Sequence, residues 1–264
     1  NIQAVIVEKA AGRRLMSGMH ALWSVGGFAG AGLFGIWVGS FSLTPLLSTI
    51  IAAAIMVLVT LAASRHLLPY GGDAGGKLLA LPKGIVTFVG IIACIAFLVE
   101  GAIMDWGGVF LTTVRHFDMS LAGTAFTVFS AAMLTMRLFG DWTVQKLGQE
   151  RVVIGGSLLA VAGFLLVIFA AEPALLYLGF FAIGIGCANV VPVFFSLLGK
   201  QRVMPVSLAV PAVSTLGYLG ILMGPAVIGF IAHQTSLYTA FGLLAFLVLL
   251  QSIIAAYVYR HILD

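Results

Sequence analysis

The residue best suited to chemistry is Glu100, a carboxylate inside an apolar stretch that begins near Gly84. At a rise of about 1.5 Å per residue, a helix starting there places Glu100 roughly 24 Å along, slightly beyond a bilayer midplane. An ionised carboxylate at that depth costs several kcal/mol unless it is protonated, paired or hydrated. Glu100 therefore suits proton binding in a transport pathway. The alternative is a carboxyl group that hydrogen-bonds a neighbouring helix for packing.

Three amides are further candidates for a substrate pathway. Asn189 lies within a long apolar run, where its amide suits either substrate hydroxyls or a hydrogen bond to another helix. Asn1 and Gln3 stand at the start of the chain, close to a group of basic residues. Asp105 is interpreted as a solvated charge at a helix end, and His20 as an interfacial histidine.

Enzyme signatures are absent from the sequence. It contains no His-Glu-x-x-His, no Gly-x-x-x-x-Gly-Lys and no convincing set of nucleophile and base. Cys94 and Cys187 each lie in an apolar run, which favours packed thiols over a disulfide or a metal site. No basic stripe interleaved with aromatic residues points to nucleic acid. We therefore predict a protein that is not an enzyme and has no cofactor, bound metal or nucleic-acid partner.

The elements that position these residues must be membrane helices. Hydrophobic residues make up 61% of the 264 residues, charged residues only 8%, and the mean hydropathy is +1.16. A soluble domain carries about 25% charged residues. Because so little charge cannot solvate a surface in water, the solvent must be mostly lipid. The sequence predicts a partial helix that ends near Val7, followed by eight helices over residues 17–38, 44–64, 84–112, 120–139, 152–171, 173–198, 205–232 and 236–259.

The basic residues orient these helices. If successive helices alternate in direction, the loops on one side contain Lys9, Arg13, Arg14, Arg65, Lys77, Lys83, Arg137, Lys146, Arg151, Lys200, Arg202 and Arg260. The loops on the other side contain only Arg115. We therefore expect the polar segment 65–83 and the C-terminus to be cytoplasmic.

An internal repeat indicates a two-halved architecture. The pattern Ser-x-x-Gly-aromatic-x-Gly occurs at residues 24–30 and again at 214–220, an offset of 190 residues. The same offset places the helix 44–64 on the helix 236–259. Gly27, Gly30, Gly217 and Gly220 within the repeat are predicted to let helices pack closely. Two halves in the same orientation fit a bundle of six helices each.

The sequence resembles the major facilitator superfamily along its whole length. The family's loop signature has a degenerate copy at residues 137–151, Arg-Leu-Phe-Gly-Asp-Trp-Thr-Val-Gln-Lys-Leu-Gly-Gln-Glu-Arg. A closer resemblance to bacterial fucose-permease-like inner-membrane proteins is carried by residues 97–101, Asp105 and Trp106, with 20–26, 184–186 and Pro192.

This resemblance implies an all-α polytopic membrane bundle that lacks its first three and most of its fourth helix. Residues 1–64 would be the remainder of the N-terminal half, 65–83 a cytoplasmic linker and 84–264 the C-terminal half. The signature segment would act as a cytoplasmic latch in which charge-paired Asp and Arg hold one conformation closed; its residues here are Arg137, Gly140, Asp141, Gly148 and Arg151.

The implied function is proton-coupled, alternating-access transport of a small polar solute, such as a sugar, across the bacterial inner membrane. Two alternatives remain open at this point. A protein with the transporter fold can act as a sensor or scaffold, and an intramembrane enzyme can act on a lipid-linked substrate.

Overall fold

The computed structural model describes residues 1–69 and 81–261, and all regular structure within them is helical. Most of the predicted linker therefore lies outside the described residues. The α-helices are α1 (Ile2–Ala11), α2 (Met16–Gly39), α3 (Pro45–Ser64), α4 (Ile85–Val109), α5 (Thr124–Leu138), α6 (Gly140–Leu147), α7 (Gln149–Phe169), α8 (Pro173–Cys187), α9 (Val190–Leu198), α10 (Val206–Gln234) and α11 (Leu237–His261). A π-helical turn, Phe110–Val114, extends α4, and a short 3₁₀ turn precedes α5.

Seven helical segments in the described part of the chain are long and apolar enough to cross a bilayer. They are Pro45–Ser64, Ile85–Val114, Met119–Leu138, Gln149–Phe169, Pro173–Leu198, Val206–Gln234 and Leu237–His261. The predicted fold class, an all-α polytopic membrane protein, is confirmed. Only 6% of the apolar window of Pro45–Ser64 is buried in the structure. An apolar helix this exposed requires an apolar environment such as lipid.

The ends of the helices follow local chemistry. Thr44 caps α3, its hydroxyl accepting a hydrogen bond from the backbone N–H of Leu47, and Pro45 occupies the first turn where its missing donor costs nothing. Gly12 ends α1 with φ of 64°, a left-handed conformation that glycine adopts without strain. The first helix therefore continues four residues beyond its predicted end at Val7.

Two predicted elements differ from those observed. The segment 173–198 is one membrane crossing but two helices, α8 and α9, which are interrupted at Ala188 and Asn189. Residues 140–147, predicted as a loop, form the short helix α6, which connects to α7 through Gly148 alone. Its φ of 87° explains why a glycine stands at this sharp connection.

The bundle is assembled mainly from four helix pairs, α4 with α10, α7 with α8, α7 with α11, and α5 with α8. Close approach of α10 to α4 depends on glycine: a Cβ on Gly220 would lie 2.2 Å from the carbonyl oxygen of Cys94. A Cβ on Gly217 would lie 2.6 Å from the ring of Phe97. A Cβ on Gly27 or Gly30, by contrast, meets no atom of the described residues within 4 Å.

Polar contacts at two places fix helices against each other. Arg115 follows the π turn and donates from one guanidinium nitrogen to the carbonyl oxygens of Val167 and Ile168, at 2.8 and 2.7 Å, at the end of α7. Inside the bundle, the amide of Gln251 on α11 donates to the hydroxyl of Ser157 on α7 at 3.0 Å. Such bonds satisfy donors that lipid cannot.

Two apolar clusters fill the bundle. One is built around the stacked and edge-on rings of Phe110, Phe164 and Phe241. The other lies at the opposite end of α4 and includes Val5 of α1 and Met16 of α2 together with the aromatic side chains of α9. The second cluster therefore joins the first two helices to the rest. We call this end, where the α1–α2 link meets α6 and Lys200, the basic end.

Candidate functional site

Glu100 lines a cavity of about 370 Å³ between α2, α4 and α5. The opposite wall is formed by Trp23, Ser24, Gly27 and Phe28 of α2. A volume of this size lies within the range of small-molecule sites, about 300–1,000 Å³. The cavity therefore brings the acidic side chain of α4 together with a face of α2 that carries glycine and aromatic residues.

The partner of Glu100 is Arg137, the penultimate residue of α5. The Oε2 atom of Glu100 lies 3.5 Å from a terminal nitrogen of Arg137. The side chain of Arg137 is 4% exposed and that of Glu100 is 24% exposed. Water can therefore reach the carboxylate from the cavity, whereas the guanidinium group is enclosed.

Arg137 also joins two other elements. Its Nε donates to the carbonyl oxygen of Ala188 at 3.2 Å, in the break between α8 and α9. A terminal nitrogen donates to the hydroxyl of Ser24 on α2 at 3.1 Å. One guanidinium group thus links α4, α2 and the α8–α9 break. Because removing one partner from a buried ion pair costs roughly 3–5 kcal/mol, the enclosed guanidinium group requires a compensating charge such as that of Glu100.

Asn189, the predicted substrate amide, lies at the helix break and does not line the cavity of Glu100. It is 2% exposed, and neither its amide nitrogen nor its oxygen has a hydrogen-bond partner among the described residues. Its oxygen is so close to Gly140 that a Cβ there would lie 2.2 Å away. Asn189 therefore belongs to the close packing around Gly140 and Ser17 at the basic end, which we call the seam.

The predicted latch segment contacts α2 through backbone groups. The two carboxylate oxygens of Asp141 accept hydrogen bonds from the backbone N–H groups of Ser17 and Gly18, at 3.0 and 2.8 Å. The expected pairing of Asp141 with an arginine is not the contact observed, because Arg137 turns inward to Glu100 and Arg151 lies exposed on α7. A carboxylate at a helix N-terminus interacts favourably with the unpaired N–H groups and the helix dipole.

A second carboxylate completes the N-terminus of α2. Glu8 accepts hydrogen bonds from the backbone N–H groups of Leu15 and Met16, at 2.9 and 2.8 Å, and from the hydroxyl of Ser196. The four consecutive N–H groups of residues 15–18 are therefore satisfied by one acid from α1 and one from α6. Gly140 permits this approach, since a Cβ on it would lie 2.6 Å from the Cβ of Ser17.

The remaining predicted residues lie elsewhere. Gln3 exchanges two hydrogen bonds with the backbone of Leu68, at 3.1 and 3.3 Å, and with Asn1 it lines a separate open cavity beside Tyr218. Asp105 is exposed on α4.

Sequence reasoning missed three participants of this site. Arg137 was predicted as a latch residue and not as the partner of Glu100, although an acid inside a membrane helix requires a partner and Arg137 stands at the end of an apolar run. Ser24 was noted only as part of the repeat, and Glu8 carried no signal beyond its charge. The bonds between Arg137 and Ser24 and between Ser196 and Glu8 connect residues more than 100 positions apart in the chain.

A bundle of apolar spans with an ion pair beside a cavity between its helices is typical of a membrane transport protein. The family model described as Major Facilitator Superfamily matches residues 89–262. The chain belongs to that family of membrane transporters, as the resemblance predicted.

Relatives agree with this assignment. The chain is 46% identical over 252 residues to an uncharacterised MFS-type transporter of Yersinia pestis, covering 94% of this chain and 65% of that protein. It is 32% identical over 260 residues to the uncharacterised transporter y4wD of Sinorhizobium fredii, covering 97% and 68%. A match to the membrane protein MosC of Rhizobium meliloti has 29% identity over 245 residues and covers 90% and 58%. The chain thus spans only 58–68% of the length of these relatives.

The fold is similar to that of a solved transporter. A crystal structure of the peptide transporter POT superposes with a TM-score of 0.55 and 18% sequence identity, covering 70% of this chain and 41% of the other. At this identity the similarity concerns the fold alone.

Proposed function

We propose that the protein containing this chain is a secondary active transporter that moves a small polar solute, such as a sugar, together with protons by alternating access. The bilayer is the bacterial inner membrane, and the basic end faces the cytoplasm because Lys and Arg accumulate on that side of membrane proteins. The observation that supports the proposal most is the pair of Glu100 and Arg137 at the cavity wall.

Proton coupling follows from what protonation would do to this pair. Neutralising Glu100 removes the only ion-pair partner that the described residues give Arg137. The buried guanidinium group then loses charge compensation while still bonded to Ser24 and Ala188. Because these two bonds tie α2 to the α8–α9 break, a proton on Glu100 would destabilise the position of α2 beside the cavity.

The latch fits the same cycle. Asp141 bonds α2 at the basic end, and we propose that this contact closes the cytoplasmic side during the cycle. Opening on that side requires the carboxylate to leave the N-terminus of α2. In the latch, Gly140 permits close packing and Gly148 permits a sharp connection. Arg151 adds an exposed positive charge to the same segment.

The test is flux through the complete gene product in proteoliposomes. A panel of sugars and other polar solutes is offered with and without an inward proton gradient. We expect gradient-driven uptake of at least one solute, loss of gradient dependence in Glu100→Gln, and normal uptake in Asp105→Asn, which changes an exposed acid on the same helix. Flux that is equally gradient-dependent in both variants would rule out Glu100 as the proton site.

The same experiment addresses the sensor or scaffold alternative. Saturable binding of a solute without flux across the whole panel would favour a sensor, whereas neither binding nor flux would favour a scaffold.

A further inference from the structure

A second cavity of about 370 Å³ opens at the basic end, and it shares no lining residue with the cavity of Glu100. One wall is α1 and the α1–α2 link, and the other is formed by Gln145 of α6 and the residues that follow α9. The cationic residues lining it are Lys9, Arg13, Arg14 and Lys200.

These cations have little compensating charge. Glu8 is the only acid in the lining, and its oxygens already accept hydrogen bonds from two backbone N–H groups and from Ser196. The only ion pair within 4 Å in the described part of the chain joins Glu100 to Arg137, so none of the four cations has one. Desolvation and the nearby charge of Arg14 lower the pKa of Lys200, and the charge of Glu8 opposes them only in part. Four positively charged side chains therefore line one cavity with a single acid among them.

The geometry of the wall is fixed. Arg14 donates to the hydroxyl of Ser196, which is itself 7% exposed. That bond ties the α1–α2 link to α9 and orients the guanidinium group beside the cavity. An anion placed here would meet charges from both walls, and its negative charge would relieve their repulsion.

We propose that this cavity is a binding site for a phosphate-bearing anion, which clamps the α1–α2 link to the segment after α9. Phosphate oxygens accept several charge-assisted hydrogen bonds at once and match guanidinium geometry. The source is either the headgroup of an anionic phospholipid or a soluble phosphate compound. The site is separate from the solute cavity, and it stands whether or not the protein carries protons.

Two arms of one experiment distinguish the sources. In the first, inorganic phosphate is titrated into the purified complete gene product in a neutral detergent, at ionic strength held constant with potassium chloride. In the second, the protein is placed in nanodiscs of phosphatidylcholine alone or of phosphatidylcholine with phosphatidylglycerol. The readout in both arms is the midpoint of thermal unfolding.

We expect a saturable rise of the midpoint with phosphate for a soluble source, or with phosphatidylglycerol for a lipid source. Arg13→Gln and Lys200→Gln alter exposed residues. Each should weaken the binding of whichever ligand raises the midpoint by about tenfold, because one charge-assisted contact is lost. Lys9→Gln serves as the third variant if either of these fails to fold.

The matched control is Lys146→Gln, an exposed lysine at the same end that stands over the ring of Trp142 instead of lining the cavity. A rise that is the same in Lys146→Gln and in Lys200→Gln would reflect general screening and would overturn the proposal. No rise in either arm would overturn it as well.

Discussion

The contact of Asp141 with α2 can be tested by replacing the aspartate with asparagine. Asp141→Asn keeps the shape of the side chain but removes its charge and leaves one acceptor oxygen for the N–H groups of Ser17 and Gly18. Hydrogen bonds to a charged acceptor contribute about 1.5–3 kcal/mol. The charge–dipole interaction at a helix N-terminus contributes about 0.3–1 kcal/mol.

Since the asparagine oxygen can retain one bond, we expect the variant to lose about 2 kcal/mol of the free energy that keeps the basic end closed. A loss of that size raises the population of the open arrangement by roughly 30-fold. The N-terminus of α2 should stay helical, because Glu8 continues to accept from Leu15 and Met16.

The assay is the labelling rate of a single cysteine in the seam. Val144→Cys is suitable because Val144 is 4% exposed and lines the same small cavity as Asp141 and Ser17. With Cys94 and Cys187 replaced by alanine, a membrane-impermeant maleimide should label this cysteine slowly in the parent and at least about tenfold faster in Asp141→Asn.

The matched control is Glu150→Gln, an exposed carboxylate in the first turn of α7 at the same end. It undergoes the same chemical change but, among the described residues, has no hydrogen bond or ion pair with α2. Equal labelling rates in Asp141→Asn and Glu150→Gln would refute the reasoning, since the rate would then report general charge instead of the contact.

Three further predictions concern stability, each measured as thermal unfolding in detergent. Gly220→Ala should lower the free energy of unfolding by about 1–3 kcal/mol, because the new Cβ collides with a backbone carbonyl. In the control Gly242→Ala the new Cβ meets no described atom within 4 Å, so this change should be neutral or stabilising. Equal effects of the two substitutions would contradict the packing argument. Arg115→Gln should cost about 2–3 kcal/mol through two lost charged hydrogen bonds, whereas the exposed Arg260→Gln should stay within about 0.5 kcal/mol. Gln251→Leu should lower the free energy of unfolding by less than about 1 kcal/mol, because the loss of its one hydrogen bond is partly offset by removing an oxygen that has no partner among the described residues. A loss above about 2 kcal/mol would contradict this reasoning.

The sequence predicted the membrane helices well because lipid imposes a strong rule: apolar runs of sufficient length become spans. The interruption at Asn189 was not predicted, although the sequence carries a signal for it: Pro192 has no backbone N–H, so the carbonyl of Ala188 four residues earlier lacks its helical donor and accepts from Arg137 instead. The sequence also did not predict α6, whose eight residues are too few for a periodic pattern to be clear.

The candidate site was predicted in part. Glu100 was identified because its cost in lipid is large, and its position on a cavity wall agrees with that interpretation. The same rule required a partner but could not say which one, because several arginines stand at helix ends and the tertiary arrangement selects among them. For Asn189 the sequence left binding and packing equally open, and the contacts favour packing against Gly140.

The two acids at the start of α2 divide its amides into two pairs. Glu8 comes from the helix immediately before α2 and covers Leu15 and Met16, while Asp141 is 123 residues or more away in the chain and covers Ser17 and Gly18. If the seam opens, the first pair keeps its acceptor and the second pair meets water. Hydrogen–deuterium exchange would then be fast at the amides of Ser17 and Gly18 and slow at those of Leu15 and Met16. The slow pair thus provides an internal reference for the opening that the fast pair measures.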